Sequence, residues 1–150
     1  RCRPRDDRQV NALRRWAELP VGDRMRLLLM MAALPLVSFW LQRSGYQCTR
    51  RMVDRFSLHP RPRSATGEDL AHARHLAWLA NVAGRRGPFE ATCLRQSLLV
   101  YGLLRRRGLS PELKLGVHVG RTGVDAHAWV ELDGHPLEAL AQHFQPLGRC

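Results

Sequence analysis

The chain changes its hydrophobic period once, at Gly108, and that change constrains the fold more than any other feature. Upstream, "TCLRQSLLVYGLLRRRG" places apolar residues every three to four positions, the spacing of one helix face. Downstream, "ELKLGVHV", "VDAHAWVEL" and "HPLEAL" read as strands, with period 2 replacing 3.6. "GRTG" separates the first two, and Asp133-Gly134 separates the last two as a pair suited to a tight hairpin turn. Helices come first and a small antiparallel sheet last, so the expected layout is α+β. A length of 150 residues supplies one real core and not two. Within that single domain, residues 1–60 read as an N-terminal helical region and 61–150 as the core that carries the chemistry.

Residues 1 to 19 are polar and basic, with Val10, Leu13, Trp16 and Leu19 at helical spacing. In "GDRMRLLLMMAALPLVSFWLQR", Asp23 can cap a helix, and Leu27 to Leu41 is apolar apart from Ser38, with Pro35 inside. The run is about 15 residues long, short of the roughly 20 that span a bilayer. The expectation is a buried core helix kinked at Pro35. The alternative is a helix that lies on a membrane or docks a partner. "QRSGYQCTRRMVDRF" continues it amphipathically. The linker "SLHPRPRSATGED" ends in a capping box, Thr66 with Asp69, and the next helix is expected to stop at Gly84. His72 and His75 lack the i, i+4 spacing and third ligand of a metal pair, so they read as solvated surface. No metal and no cofactor are expected.

The formal net charge is +11, nearly all of it arginine, because Lys114 is the only lysine. That charge favours an acidic partner: nucleic acid, an anionic membrane surface or an acidic peptide. A basic nucleic-acid-binding module is the competing reading. The arginines are scattered with no groove-reading motif and no aromatic platform, so no nucleic-acid partner is expected. Cys2, Cys48, Cys93 and Cys150 form no CxxC pair, which argues against a zinc ribbon or a thioredoxin-like site. No cleavable signal peptide is visible in the opening "RCRPRDDR". A cytoplasmic setting with free thiols is therefore expected, with membrane association as the alternative.

Thr92 is a good N-cap, which puts Cys93 in the first turn of a helix running to about Arg107. A thiol pKa falls at such a terminus, and the free amides there can bind an oxyanion. His127, thirty-four residues on and mid-strand, can supply the base, so a hydrogen bond between the two is expected. Such a histidine wants an acid to hold its tautomer. A two-residue turn at Asp133-Gly134 pairs Leu132 with His135, Trp129 with Glu138 and His127 with Leu140, leaving Glu138 diagonally adjacent to His127. Asp125 and Glu131 share that face. A three-residue turn with a bulge instead sets Ala139 opposite His127, so one unit of register decides the acid.

"CLRQSLLVYGLLRRRGLSPELKLGV" followed by "AHAWVELDGHPL" resembles the lasso-peptide biosynthesis B2 family, leader peptidases with a papain/transglutaminase-like core. The likeness extends over about residues 20 to 147, including the apolar "RMRLLLMMAALPLVSFWL" segment. It implies a cysteine protease that cleaves the leader from a ribosomally made precursor peptide through a thioester. Cys93 would be the nucleophile and His127 the general base and acid. The family typically carries an acid about a dozen residues after the histidine. Here that place is Ala139, with Glu138 just before it, which leaves three options: Glu138 in the role, a Cys-His dyad, or an impaired enzyme. The implied partners are a separate B1 leader-recognition protein and the lasso cyclase, with the apolar helix and the arginine surface as docking candidates. A non-catalytic scaffold on the same fold, and acyl transfer to an amine rather than water, are the other readings.

Overall fold

The structure is a computed structural model that describes residues 20–56, 63–86, 92–120 and 123–147. The segment at 1–19, the Gly87-Pro88 loop and the centre of "GRTG" lie outside these residues.

Helix α1 (Val21–Phe56) is one long helix with a break. The break falls at Gly45, with φ 73° and ψ 173°, and not at Pro35. The physical reason is that proline's fixed φ is itself helical and costs the helix a bond, whereas a φ of +73° stops the turn outright. Thr49, buried just beyond, donates its hydroxyl to Gly45 O at 2.8 Å. The expected burial also holds for one face only. Leu27, Met30 and Leu34 enter the core, while Val21, Met25, Leu28, Leu29, Leu36, Phe39 and Trp40 are exposed. A helix apolar all round has two apolar faces, and the rest of the fold covers one of them. By length and composition α1 could cross a membrane, with a mean hydropathy of 1.5 in its most apolar stretch.

Helix α2 (Gly67–Arg86) begins in the expected capping box. Asp69 N donates to Thr66 Oγ1 at 3.3 Å, and Thr66 N donates back to Asp69 Oδ2 at 2.9 Å. Arg63 grips the same carboxylate with both guanidinium nitrogens, at 2.6 and 2.8 Å. The helix runs through Gly84 rather than stopping there. At Gly84 the Gln96 amide lies in the space a Cβ would take. Nor are the two histidines simply solvated. His75 Nε2 lies 3.0 Å from the buried carboxylate of Asp23 and its ring stacks on Trp78, while His72 lines a groove beside α1.

Helix α3 (Cys93–Arg106) ends at Gly108, whose φ of 76° turns the chain. Gly108 N donates to Arg105 O and Leu109 N to Leu104 O, closing the helix end. The sheet follows, with His135–Pro136 (β3), Gly123–Leu132 (β2), Pro111–Gly120 (β1) and Gln145–Pro146 (β4) in that order across it. β1 (Pro111–Gly120) and β2 (Gly123–Leu132) pair along their whole length, from Pro111↔Leu132 to Gly120↔Gly123. Asp133 and Gly134 both have positive φ, 48° and 78°, and pair Leu132 with His135 as the two-residue turn requires.

The third strand is much shorter than its sequence suggests. β3 is His135–Pro136, and Leu137 N to Val130 O is its last link to β2. Pro136 pairs with Glu131 at the position whose backbone points away from β2, so its missing N–H costs this ladder nothing. The chain then bends into a 3-10 helix (Ala139–His143) and returns as β4 (Gln145–Pro146) on the far edge of β1. The expected pairs Trp129–Glu138 and His127–Leu140 therefore do not form. Gly116 permits this closure: a Cβ there would sit 2.7 Å from both the Trp129 ring and Gln145 O. One buried cluster joins the helices to the sheet, with Leu27, Leu79, Leu98, Leu104, Val130 and Leu132 at its centre.

Candidate active site

The early end of β3 has a chemical consequence. Residues 128, 130 and 132 direct their backbone groups toward the β3 side of β2, since Val130 O is met by Leu137 N and Leu132 pairs with His135. The ladder stops before Ala128. A buried carbonyl without a donor is costly, and here a side chain supplies one. Ser97 Oγ, fully buried on α3, donates to Ala128 O at 2.9 Å. That bond seats the first half of α3 against β2 at the residue next to His127. Cys93 lies one helical turn before Ser97, as the first residue of the helix, free and half-buried.

Thr92 occupies the N-cap position with extended φ and ψ, but its hydroxyl makes no capping bond. Its backbone carbonyl accepts from Arg95 N and Gln96 N instead. The first-turn amides at Cys93 and Leu94 are thus left uncapped by Thr92, at the positive end of the helix dipole.

His127 is gripped on several sides. Its ring lies 5.0 Å from that of Phe144 and stacks at 6.2 Å on Trp129, which is itself buried. Its Nε2 is 3.3 Å from Glu138 Oε2. Both side chains are mostly buried, so solvent screens this contact weakly. With Nε2 engaged by the carboxylate, Nδ1 is the ring nitrogen left to exchange a proton with a thiol.

The structure therefore brings His127 and Glu138 together and places Cys93 on the helix seated beside them. It does not join Cys93 to His127: no hydrogen bond links them among the described residues, where the sequence led us to expect one. The other candidate acids are elsewhere. Glu131 accepts from Trp129 Nε1 at 2.9 Å and lies 3.9 Å from Lys114, and Asp125 is exposed opposite His118. Ala139 opens the 3-10 helix and is exposed, so it is not a strand residue facing His127. Among the described residues no group of three or more His, Cys, Asp or Glu side chains could hold a metal ion.

Sequence reasoning missed Ser97 and Phe144. Ser97 had a signal: a hydroxyl one turn after Cys93, inside an otherwise apolar stripe, is costly unless it is bonded. Phe144 had none, because it arrives only through the unanticipated 3-10 helix. A cleft of about 570 Å³ opens between α1, the end of α3 and the start of β1, lined by Tyr46, Arg50, Tyr101 and Arg105, away from these residues. There Tyr101 donates to Asp54 Oδ1 at 2.6 Å, tying α3 to the second half of α1.

Three helices followed by a small curled antiparallel sheet, with a cysteine at a helix start and a histidine–carboxylate pair on the sheet side, place the molecule in the α+β class expected. The chain belongs to the transglutaminase-like superfamily, whose family model matches residues 34–149. No curated protein and no solved structure matches it.

Proposed function

We propose that this protein is a cysteine peptidase that removes the leader from a ribosomally made lasso-peptide precursor. In this reading Cys93 Sγ, as thiolate, attacks the scissile carbonyl and forms a C–S bond. The C–N bond breaks as His127 gives the thiol's proton to the departing amine. Water, deprotonated by His127, then hydrolyses the thioester and restores the thiol. Glu138 orients the imidazole and stabilises its cationic form, and the amides of the first turn of α3 receive the oxyanion. The observation that carries the reading is the 3.3 Å contact between His127 and Glu138, which supplies an acid although Ala139 stands at the family's usual place. A separate B1 protein would present the leader, and the lasso cyclase would take the product, in a cytoplasmic setting.

The test is cleavage of the cognate precursor with its recognition protein, by wild type, Cys93→Ala, His127→Ala and Glu138→Gln. Loss of cleavage in the first two variants with folding retained supports the peptidase. Glu138→Gln should cost between about 10- and 10⁴-fold if the carboxylate orients the base. A rate unchanged by Glu138→Gln makes the site a dyad. A folded wild type that binds leader and cleaves nothing makes the chain a scaffold.

A further inference from the structure

The exposed face of α1 is unlike an ordinary protein surface. Along about 30 Å of helix axis, from Val21 to Trp40, the exposed side chains are Val21, Met25, Leu28, Leu29, Ala32, Leu36, Phe39 and Trp40, with Arg26 on the shoulder. The large apolar ones among them are exposed from 42% at Trp40 to 75% at Val21. Apart from Arg26, the Trp40 indole N–H is the only side-chain hydrogen-bonding group in the stripe. Protein interfaces carry about one hydrogen bond per 100–200 Å², and this surface offers almost none. A hydrocarbon layer asks for none.

The charge around the stripe is mainly positive. Between Val21 and Arg43, α1 carries Arg24, Arg26 and Arg43 against the single buried Asp23. Beside the stripe, Leu29 also lines a groove of about 370 Å³ between the helices, with an apolar floor that includes Met30, Leu76 and Leu103. Arg26, Arg106 and Arg107 also line it. These arginines make the groove electropositive. Desolvation, then Arg107 and Arg26, hold the His72 imidazole below its ordinary value.

We propose that this stripe and its arginine-lined groove dock the protein onto an anionic phospholipid bilayer. The apolar side chains enter the acyl boundary and Arg106 and Arg107 meet lipid phosphates, while Arg26 stays bonded to Asp23 at 3.0 Å. The helix lies flat and does not span. Crossing the bilayer would pull Leu27, Met30 and Leu34 out of the core and the Asp23 carboxylate away from His75. This docking is independent of the peptidase chemistry, and its readout is binding alone.

The experiment is co-sedimentation of the full chain with vesicles of phosphatidylcholine, and with equal parts phosphatidylcholine and phosphatidylglycerol. Binding to the anionic vesicles, weakened by salt, is expected. The Arg106→Gln/Arg107→Gln double variant should bind about 25-fold more weakly, at roughly fivefold per charge. Leu36→Ser/Phe39→Ser should abolish binding while the thermal midpoint stays put, because both side chains are exposed. Failure of the wild type to bind anionic vesicles overturns the proposal. So does a solution dimer that Leu36→Ser/Phe39→Ser dissociates without any vesicle binding, which would assign the stripe to a second copy. Binding by a soluble protein partner in place of vesicles overturns it equally.

Discussion

Removing the Ser97 hydroxyl tests whether α3 is held to the sheet as described. In Ser97→Ala the Ala128 carbonyl keeps its burial and loses its side-chain donor, while β3 has already ended too early to replace it. A buried acceptor left unsatisfied costs about 1–3 kcal/mol. For a chain of this size each kcal/mol moves the melting midpoint by about 2–4 °C, so a fall of roughly 2–12 °C is expected. Cys93 is one turn away, and a displacement of about 1 Å at a reacting group can cost up to 10²-fold in rate. Thermal melts should therefore be paired with kcat/KM for precursor cleavage, well below both transitions. Ser38→Ala is the matched control. That hydroxyl donates to Leu34 O within its own helix, and its loss should stay within about 0.5 kcal/mol. A Ser97→Ala protein that melts like wild type, or no lower than Ser38→Ala, refutes the account of how the helix is seated.

Three further outcomes follow from other parts of the fold. Gly116→Ala should cost about 1–3 kcal/mol and shift tryptophan fluorescence, since the new methyl displaces Trp129 and β4; a wild-type midpoint and spectrum would contradict this. Asp133→Ala should cost about 1–2 kcal/mol in urea unfolding, through its left-handed φ of 48° and its 2.8 Å bond from Ala65 N, with Asp133→Asn recovering most of the loss. Burial raises the Asp23 carboxyl, but His75 and Arg26 outweigh it and hold the group below its ordinary 3.8. Its stabilisation is thus complete above that pH and is lost as the pH falls below it. Melting wild type and Asp23→Asn across an acid series should show a gap at neutral pH that closes in acid; a constant gap rules the ion pair out as its source.

The legible features were those settled by neighbours along the chain. The period change at Gly108, the Thr66–Asp69 capping box and the Asp133-Gly134 turn each need only a few adjacent residues, and all formed as read. Features settled by distant packing were misread. Gly84 looked like a helix stop because its tight contact with Gln96 cannot be seen locally. Pro35 looked like the kink because its ring costs the helix a bond locally, whereas Gly45 is free to take φ 73° and only packing decides that it does. Alternation carried "HPLEAL" on as a strand, whereas the chain left the sheet after two residues. The candidate site was legible in its members more than in its assembly. His127 meets Glu138 as the turn suggested, but across a bend and not a strand ladder, and among the described residues no hydrogen bond joins Cys93 to His127.

The hairpin that stops short also sets an order of assembly. His127 and Glu138 are eleven residues apart, within one local unit of β2, its turn, β3 and the start of the 3-10 helix. Ser97 and Ala128 are thirty-one apart, so that bond must close a far longer loop. Loop closure favours the nearer pair first, on the roughly microsecond scale of hairpins, and the docking of the thiol-bearing helix onto β2 later. A chain caught midway through folding would then hold its base and acid already matched, with no nucleophile beside them. Pulsed hydrogen exchange during refolding should protect the β2 amides and Leu137 N at the same rate in wild type and Ser97→Ala, and a hairpin that forms more slowly in Ser97→Ala would discard this sequence of events.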